Sequence, residues 1–449
     1  MITTQIQNPK SQISNLKSKI SQSPYQAYVY SYPHKTAYRP LTPPVNLANL
    51  WSNQNKSALF LYIHIPFCEM RCGFCNLFTT VTHNEDFVTQ YVRALQRQAQ
   101  RVKSTLGKSS FARFAIGGGT PTQLPIQHLE TILDIAEQTM GANLQSIPIS
   151  VEVSPETVTE DKLKLLRERG TDRISIGVQS FIESEVLATQ RRQTTPQVEA
   201  ALGRIREAGF PTLNIDLIYG LPEQTVETFL QSIHAALQFQ PEEIYLYPLY
   251  VRPLTGLGRT DKEWDDIRLA CYRTGRLLLL SEGYSQVSMR MFQRRENNPA
   301  LPVYCCQADG MVGLGCGART YTDTLHYSND YAVGVKEIRD ILQAYIHSDE
   351  AFDFASYGFK LDADEQRRRY ILLSLLSDEG LNFASYQQKF NSSVYIDFSE
   401  LREVKELNLG MEDGEILRLT EAGIELSDVI GAWLFSLKVQ ELMEGYELK

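Results

Sequence analysis

From Leu59 onward the chain repeats one pattern: a short run of β-branched or aromatic residues, then a longer stretch whose apolar positions recur at helical spacing. The runs are Leu59–Ile65, Arg113–Ile116, Pro148–Val153, Arg173–Gly177, Asn214–Tyr219 and Glu243–Leu249. Such alternation predicts parallel βα units, because parallel neighbours need a crossover helix between them. Six units are too few for a closed eight-unit barrel. They predict an α/β fold on a partial (β/α)6 TIM-like barrel, with its site at the C-terminal strand ends where the βα loops converge. Ahead of the barrel, residues 1–24 are rich in Gln, Ser, Asn and Lys and are expected to be poorly ordered. After Gly283 the pattern becomes irregular, with glycines concentrated over Gly310–Ala318, and from Leu361 it turns helical before a short strand-like stretch. The predicted organisation is a tail over 1–24, a lead-in over 25–55, the barrel over 56–285, a connecting region over 286–358, and a mostly helical, winged-helix-like C-terminal domain over 359–449.

Composition narrows what such a chain does. With 449 residues and 43% apolar side chains, both the barrel and the smaller domain can bury a core. The net charge of −9, with Lys and Arg scattered, argues against the broad basic face that nucleic acid or an anionic membrane would need. Arg367-Arg368-Arg369, beside Asp362, Asp364 and Glu365, reads as a solvated, salt-bridged helix face. No window approaches eighteen uncharged apolar residues and the start lacks the apolar core of a secretory signal, so the expected location is cytoplasmic.

Seven cysteines make an odd set, and three of them fall within eight residues, which suits a metal site better than a disulfide framework. Cys271, Cys305, Cys306 and Cys316 are readable as small buried thiols, and the last three lack the CxxC spacing of an auxiliary cluster. Cys68, Cys72 and Cys75 stand as C-x3-C-x2-C directly after a predicted strand, in YIHIPFCEMRCGFCNLF. A structural zinc asks for four protein ligands. A 4Fe-4S cube held by three thiolates keeps one iron open, and an open iron can take the amino and carboxylate groups of S-adenosylmethionine. Reductive cleavage of that cosubstrate then gives a 5′-deoxyadenosyl radical, chemistry that the cofactor carries and the protein positions.

Further candidates stand at the predicted strand ends. Gly117-Gly118-Gly119-Thr120-Pro121 lets backbone approach a ligand closely and lacks the Lys-Ser/Thr of a phosphate loop. Glu152, Gln179, Arg191 and Asp216 put polar groups beside otherwise apolar strands, where burial without a partner is costly. Phe74 is placed either to stack on adenine or to cover the core, and Arg192 reads as an exposed neighbour. His64 is expected to hydrogen-bond near the cysteine loop, and Tyr247, Tyr250 and Arg252 lie at the last strand end.

The ordered texts YIHIPFC, GGGTPT, VEVSPETV, GVQSF, NIDLIYGLP and GLGCGARTY resemble the radical S-adenosylmethionine group that contains oxygen-independent coproporphyrinogen III oxidase and the related heme chaperone. The resemblance covers most of residues 56–435. It implies cosubstrate contacts at Tyr62, Phe74, Gly118, Gly119, Thr120, Glu152, Gln179, Arg191 and Asp216, a small-molecule or peptide substrate, and a flavodoxin- or ferredoxin-like electron donor. Oxidases of this type carry a further cysteine two residues after the third, where Leu77 stands here, whereas Tyr30-Ser31-Tyr32-Pro33 resembles the oxidase lead-in. Hydrogen abstraction from an unassigned substrate is the leading expectation. Heme binding as a chaperone, and radical C-methylation with a second S-adenosylmethionine, are the alternatives.

Overall fold

The structure, a computed structural model, describes residues 15–21, 23–25, 27–260, 266–294 and 310–449. Its strands in chain order are β1 (Arg39–Asn46), β2 (Leu59–Ile65), β3 (Phe67–Cys68), β4 (Thr80–Val81), β5 (Phe111–Gly118), β6 (Ile149–Val153), β7 (Arg173–Gln179), β8 (Thr212–Tyr219) and β9 (Glu243–Pro248). There follow β10 (Tyr284–Gln286), β11 (Met291–Arg294), β12 (Met311–Leu314), β13 (Arg319–Tyr321), β14 (Leu325–Ser328), β15 (Phe354–Lys360), β16 (Leu381–Asn382), β17 (Gly410–Asp413) and β18 (Ile416–Leu419). Chain contacts divide the molecule into two compact units: Tyr38–Leu361 with Glu447–Lys449, and the residues up to Ala37 with Asp362–Tyr446.

In the larger unit β2, β5, β6, β7, β8 and β9 pair in that order, each parallel to the next, which is the expected six-strand partial barrel. The alternation of side chains explains how one sheet serves both core and site. In β2, Leu59, Leu61, Ile63 and Ile65 are buried on one face, leaving Phe60 and Tyr62 only partly covered on the other. The helix Glu85–Leu106 supplies matching apolar residues: Val88, Tyr91, Val92, Leu95, Ala99, Val102 and Leu106 recur at helical spacing and are all buried. Its start is set by Asn84, whose side chain accepts from the Phe87 amide. Among the described residues no helix is long and apolar enough to cross a membrane.

The stretch read from sequence as a connecting region continues this sheet. β12 pairs parallel to β2, β13 and β14 follow antiparallel, β15 links β14 to β1, and β11 with β10 extends the opposite edge from β9. These strands escaped the periodicity because most span only three or four residues, too few for an alternation to declare itself.

The smaller unit carries the three-stranded sheet β16-β18-β17 among short helices, the winged-helix-like arrangement expected of a mostly helical domain. Two expectations fail here. The tail is partly ordered: Leu16–Ile20 is helical, Leu16 is fully buried and its amide donates to Glu403 at 2.9 Å. The arginine triplet is not a solvated face, since Arg368 and Arg369 are buried. Arg368 bonds Asp364 at 2.7 Å and the Leu434 carbonyl at 2.9 Å while lying over the Phe398 ring, so its charge is paired inside. Helical spacing alone cannot distinguish a solvated arginine from one that buries its stem and finds a carboxylate. Tyr32, in the lead-in, donates to Glu365, which also accepts from Ser436 Oγ at 2.7 Å, so this part of the lead-in belongs to the smaller unit's core.

Candidate functional site

The three cysteines lie on one loop that leaves the C-terminal end of β2. A two-strand clip closes it, with Phe67 opposite Thr80 and Cys68 opposite Val81, and the Thr80 amide donates to the Pro66 carbonyl at 2.7 Å. Inside the clip the Cys75 amide bonds the Cys72 carbonyl at 3.1 Å. Gly73 ties the loop to two others: its amide donates to Thr189 and its carbonyl accepts from Leu257, both at 2.7 Å. A Cβ at Gly73 would stand 2.8 Å from the Thr189 carbonyl oxygen, so the close approach requires glycine. All three cysteines are partly accessible, and none of the five described cysteines is in a disulfide. Burial pushes the Cys68 thiol up to about 12, with Cys75 adding to the shift, while burial raises Cys72 and the neighbouring Arg191 pulls it back.

The glycine run passes beside this loop. The Gly118 amide donates to Glu152 at 2.9 Å, the Gly119 amide to Ile65 at 2.7 Å and the Thr120 amide to Phe67 at 2.7 Å. Three successive amide donors are therefore committed to the protein and the Thr120 hydroxyl bonds Cys68, which leaves carbonyl oxygens and free space for a ligand. A Cβ on Gly119 would come within 2.9 Å of Cys68 Sγ. His64 lies beneath the run with its Nε2 on the Phe78 carbonyl at 3.0 Å and its Nδ1 3.3 Å from the Tyr62 hydroxyl.

Across the barrel's inner face stand Tyr62, Glu152, Ser175, Asn214 and Asp216. Glu152 is exposed and Asp216 half-exposed, yet barrel walls desolvate both. Burial raises the Glu152 carboxyl, and it carries Asp216 to about 6 with the Glu152 charge adding to it. Asp216 accepts from Asn214 at 2.8 Å and from Ser175 at 3.4 Å. Below them Arg173 pairs with Glu243 at 2.7 Å and bonds Ser150 at 3.0 Å. Gln179 ends β7 at φ 71°, where the pairing with β8 slips by a residue. Phe74 and Tyr247 pack on an apolar patch of Ile218, Leu221, Leu249 and Leu257. Tyr250 accepts from Arg290 at 2.8 Å, and Arg252 lies over its ring.

The expected site residues thus fall on one end of the barrel: the cysteine loop, the glycine run, and the ends of β6, β7 and β8. Arg191 reaches the cysteines directly, its Nη1 donating to Cys72 Sγ at 3.4 Å, while Arg192 is exposed. Sequence reasoning missed Gly73, Gln193 and the Arg173–Glu243 pair. The polar run TQRRQT held the only hint of Gln193, which fixes Arg191 at 2.6 Å. Cys316 is wholly buried, and Cys305 and Cys306 lie outside the described residues. Among the described residues no three His, Cys, Asp or Glu side chains converge on a single metal ion. The donor set on the Cys68–Cys75 loop suits a cubane, whose thiolate ligands are spread over separate iron corners.

The profile described as the Radical SAM superfamily matches residues 62–236, and that of the HemN C-terminal domain matches residues 361–426. The chain is 27% identical to a protein named heme chaperone HemW of Bacillus subtilis, over 84% of this chain and 99% of that one. It is 28% identical to the oxygen-independent coproporphyrinogen III oxidase of Escherichia coli, over 82% of each. The Synechocystis sp. protein of the same name is 26% identical over 89% of this chain and 90% of its own. The solved structure of coproporphyrinogen III oxidase HemN from Escherichia coli superposes with a TM-score of 0.76 at 23% identity, covering 92% of this chain and 99% of that one. That likeness shows the fold.

Proposed function

Because this chain belongs to the radical S-adenosylmethionine superfamily, joined to a HemN-type C-terminal domain, we propose that Cys68, Cys72 and Cys75 hold a 4Fe-4S cluster at which S-adenosylmethionine is cleaved for hydrogen abstraction from a substrate in the barrel. The observation that carries this reading is the common loop of the three thiols, clipped by β3 and β4, with Cys68 Sγ against the glycine run whose Gly118 amide holds Glu152. When bound, the cluster supplies one electron to the sulfonium and an open iron corner for the cosubstrate's amino and carboxylate groups.

The remaining work falls to the chain's own side chains. Glu152 spends one oxygen on the Gly118 amide and keeps acceptor capacity for a hydroxyl or ammonium of the cosubstrate. Asp216 and Gln179 would offer further polar groups to the cosubstrate's ribose, and Tyr62 would line the same inner face. Gly118, Gly119 and Thr120 contribute clearance and carbonyl oxygens. Phe74 and Tyr247 present an apolar surface that suits adenine and keeps water from the reacting centre. The electron comes from a low-potential donor of the flavodoxin or ferredoxin kind, and thiols kept reduced for a cluster suit a reducing, cytoplasmic compartment.

The test is anaerobic reconstitution with iron and sulfide, then incubation with S-adenosylmethionine and dithionite, with the products read by mass spectrometry. Release of 5′-deoxyadenosine supports the reading; a full cluster that releases none contradicts it. Accompanying S-adenosylhomocysteine would mark methyl transfer from a second cosubstrate molecule. Heme binding is a second reading, favoured by the match over 99% of the heme chaperone relative and by Leu77, 48% exposed, where oxidases carry their further cysteine. A Soret shift that saturates near one heme per chain would support it, and an unchanged spectrum at micromolar heme would remove it.

A further inference from the structure

Arg191 does more than border the cosubstrate site. Arg191 is 8% exposed and every guanidinium nitrogen is committed: Nε to Gln193 Oε1 at 2.6 Å, Nη2 to the Gly177 carbonyl at 2.5 Å, and Nη1 to Cys72 Sγ at 3.4 Å. Gln193 is itself fixed by donating to the Val178 carbonyl at 2.6 Å. The end of β7 therefore aims a permanent positive charge at one thiol of the loop and leaves it little freedom to turn away. The neighbouring Arg192 amide contacts Met70 Sδ at 3.1 Å, a second tie between the same two loops.

On the opposite side of the charge balance is Glu69, between Cys68 and the rest of the loop. One of its carboxylate oxygens is buried and has no hydrogen-bond partner among the described residues. The loop thus carries a clamped cation on Cys72 and an uncompensated carboxylate next to Cys68.

We propose that Arg191 is the electrostatic partner of the cluster, setting its reduction potential through the charge-assisted hydrogen bond to Cys72, with Glu69 opposing it. The proposal rests on the cluster reading above. One-electron reduction places one more negative charge on the cluster and its thiolates. A cation held at hydrogen-bond distance stabilises the reduced form more than the oxidised one, and because it is already oriented, no reorganisation accompanies electron arrival. A carboxylate acts with the opposite sign. Arg191 also stands where the resemblance places a cosubstrate contact, so the same charge favours reduction at the place where the carboxylate-bearing cosubstrate binds.

The experiment is an electron paramagnetic resonance redox titration of the full chain, reconstituted anaerobically, with iron and sulfide contents measured alongside. Arg191→Gln is expected to make reduction about tenfold less favourable, a shift of ~59 mV to more negative potential for one electron. Glu69→Gln is expected to shift it to more positive potential. Arg191→Lys keeps the charge without the fork and is expected to fall between the wild type and Arg191→Gln, which keeps the test open if the glutamine variant loads poorly. A wild-type cluster whose potential is unchanged in both Arg191 variants overturns this proposal and leaves the cluster assignment standing. A wild-type chain that takes up no cluster overturns both.

Discussion

Two sets of acidic side chains at the same end of the barrel are treated in opposite ways. Behind the strand ends, Glu185 is fully buried and saturated: Ser180 Oγ donates at 2.6 Å, Gln224 Nε2 at 2.9 Å, and Thr228 Oγ1 donates as well. Gln224 in turn accepts from the Gly220 amide at 2.6 Å, and Ser232 accepts from the Phe181 amide at 3.1 Å. This node joins the loop after β7 to the loop after β8. On the inner face, Glu152 has one donor among the described residues, and Asp216 has Asn214 with a longer contact to Ser175. A carboxylate that only holds structure has its lone pairs filled from within; one meant for a ligand keeps capacity in reserve. The difference separates the scaffold of the site from its working surface.

The largest effect is expected at the scaffold. Glu185→Ala strands the donors of Ser180, Gln224 and Thr228 in the interior and should cost roughly 3 kcal/mol of stability, since an unsatisfied buried donor costs about 1–3 kcal/mol. The urea midpoint measures it, and an unchanged midpoint would erase the distinction drawn above.

Glu152→Gln and Asp216→Asn should behave in the reverse manner, keeping the cluster and losing no stability to urea while weakening S-adenosylmethionine binding by about 10- to 100-fold. Hydrogen bonds to charged groups contribute about 1.5–3 kcal/mol, and each 1.4 kcal/mol is tenfold. Equilibrium binding to the oxidised, reconstituted protein reads the loss. Destabilisation at wild-type affinity would move these residues into the scaffold class.

The smallest effect is one of pH. The folded chain holds the Asp216 proton to about pH 6, whereas the ordinary value is 3.8. The folded state binds more protons across that window, so stability from this group falls as pH rises from about 4 to about 6 and is flat above. Asp216→Asn should remove its share of the slope; an unaltered slope in the variant would mean that Asp216 is not desolvated by the barrel wall.

The six barrel strands were legible because each carries a β-branched or aromatic run followed by an amphipathic helix, and the cysteine loop because its spacing has few competing explanations. What sequence could not reveal depends on tertiary pairing. The strands β10 to β14, three or four residues each, exist by pairing beside the barrel strands, not by their own periodicity. Leu16 looked like an isolated apolar residue in a polar tail until it had a core to enter. Arg191 was placed at the site by its motif, yet its orientation toward Cys72 is set by Gln193 and the Gly177 carbonyl, contacts that no local pattern encodes.

Reductive chemistry at the cysteine loop is measured most directly by comparing the 5′-deoxyadenosine released from S-adenosylmethionine by dithionite-reduced wild type and by Cys72→Ala, each after anaerobic reconstitution with iron and sulfide. Product from the wild type alone, with the cluster's visible absorbance lost in the variant, is the predicted result. Equal product from both, or none from a fully loaded wild type, would contradict it.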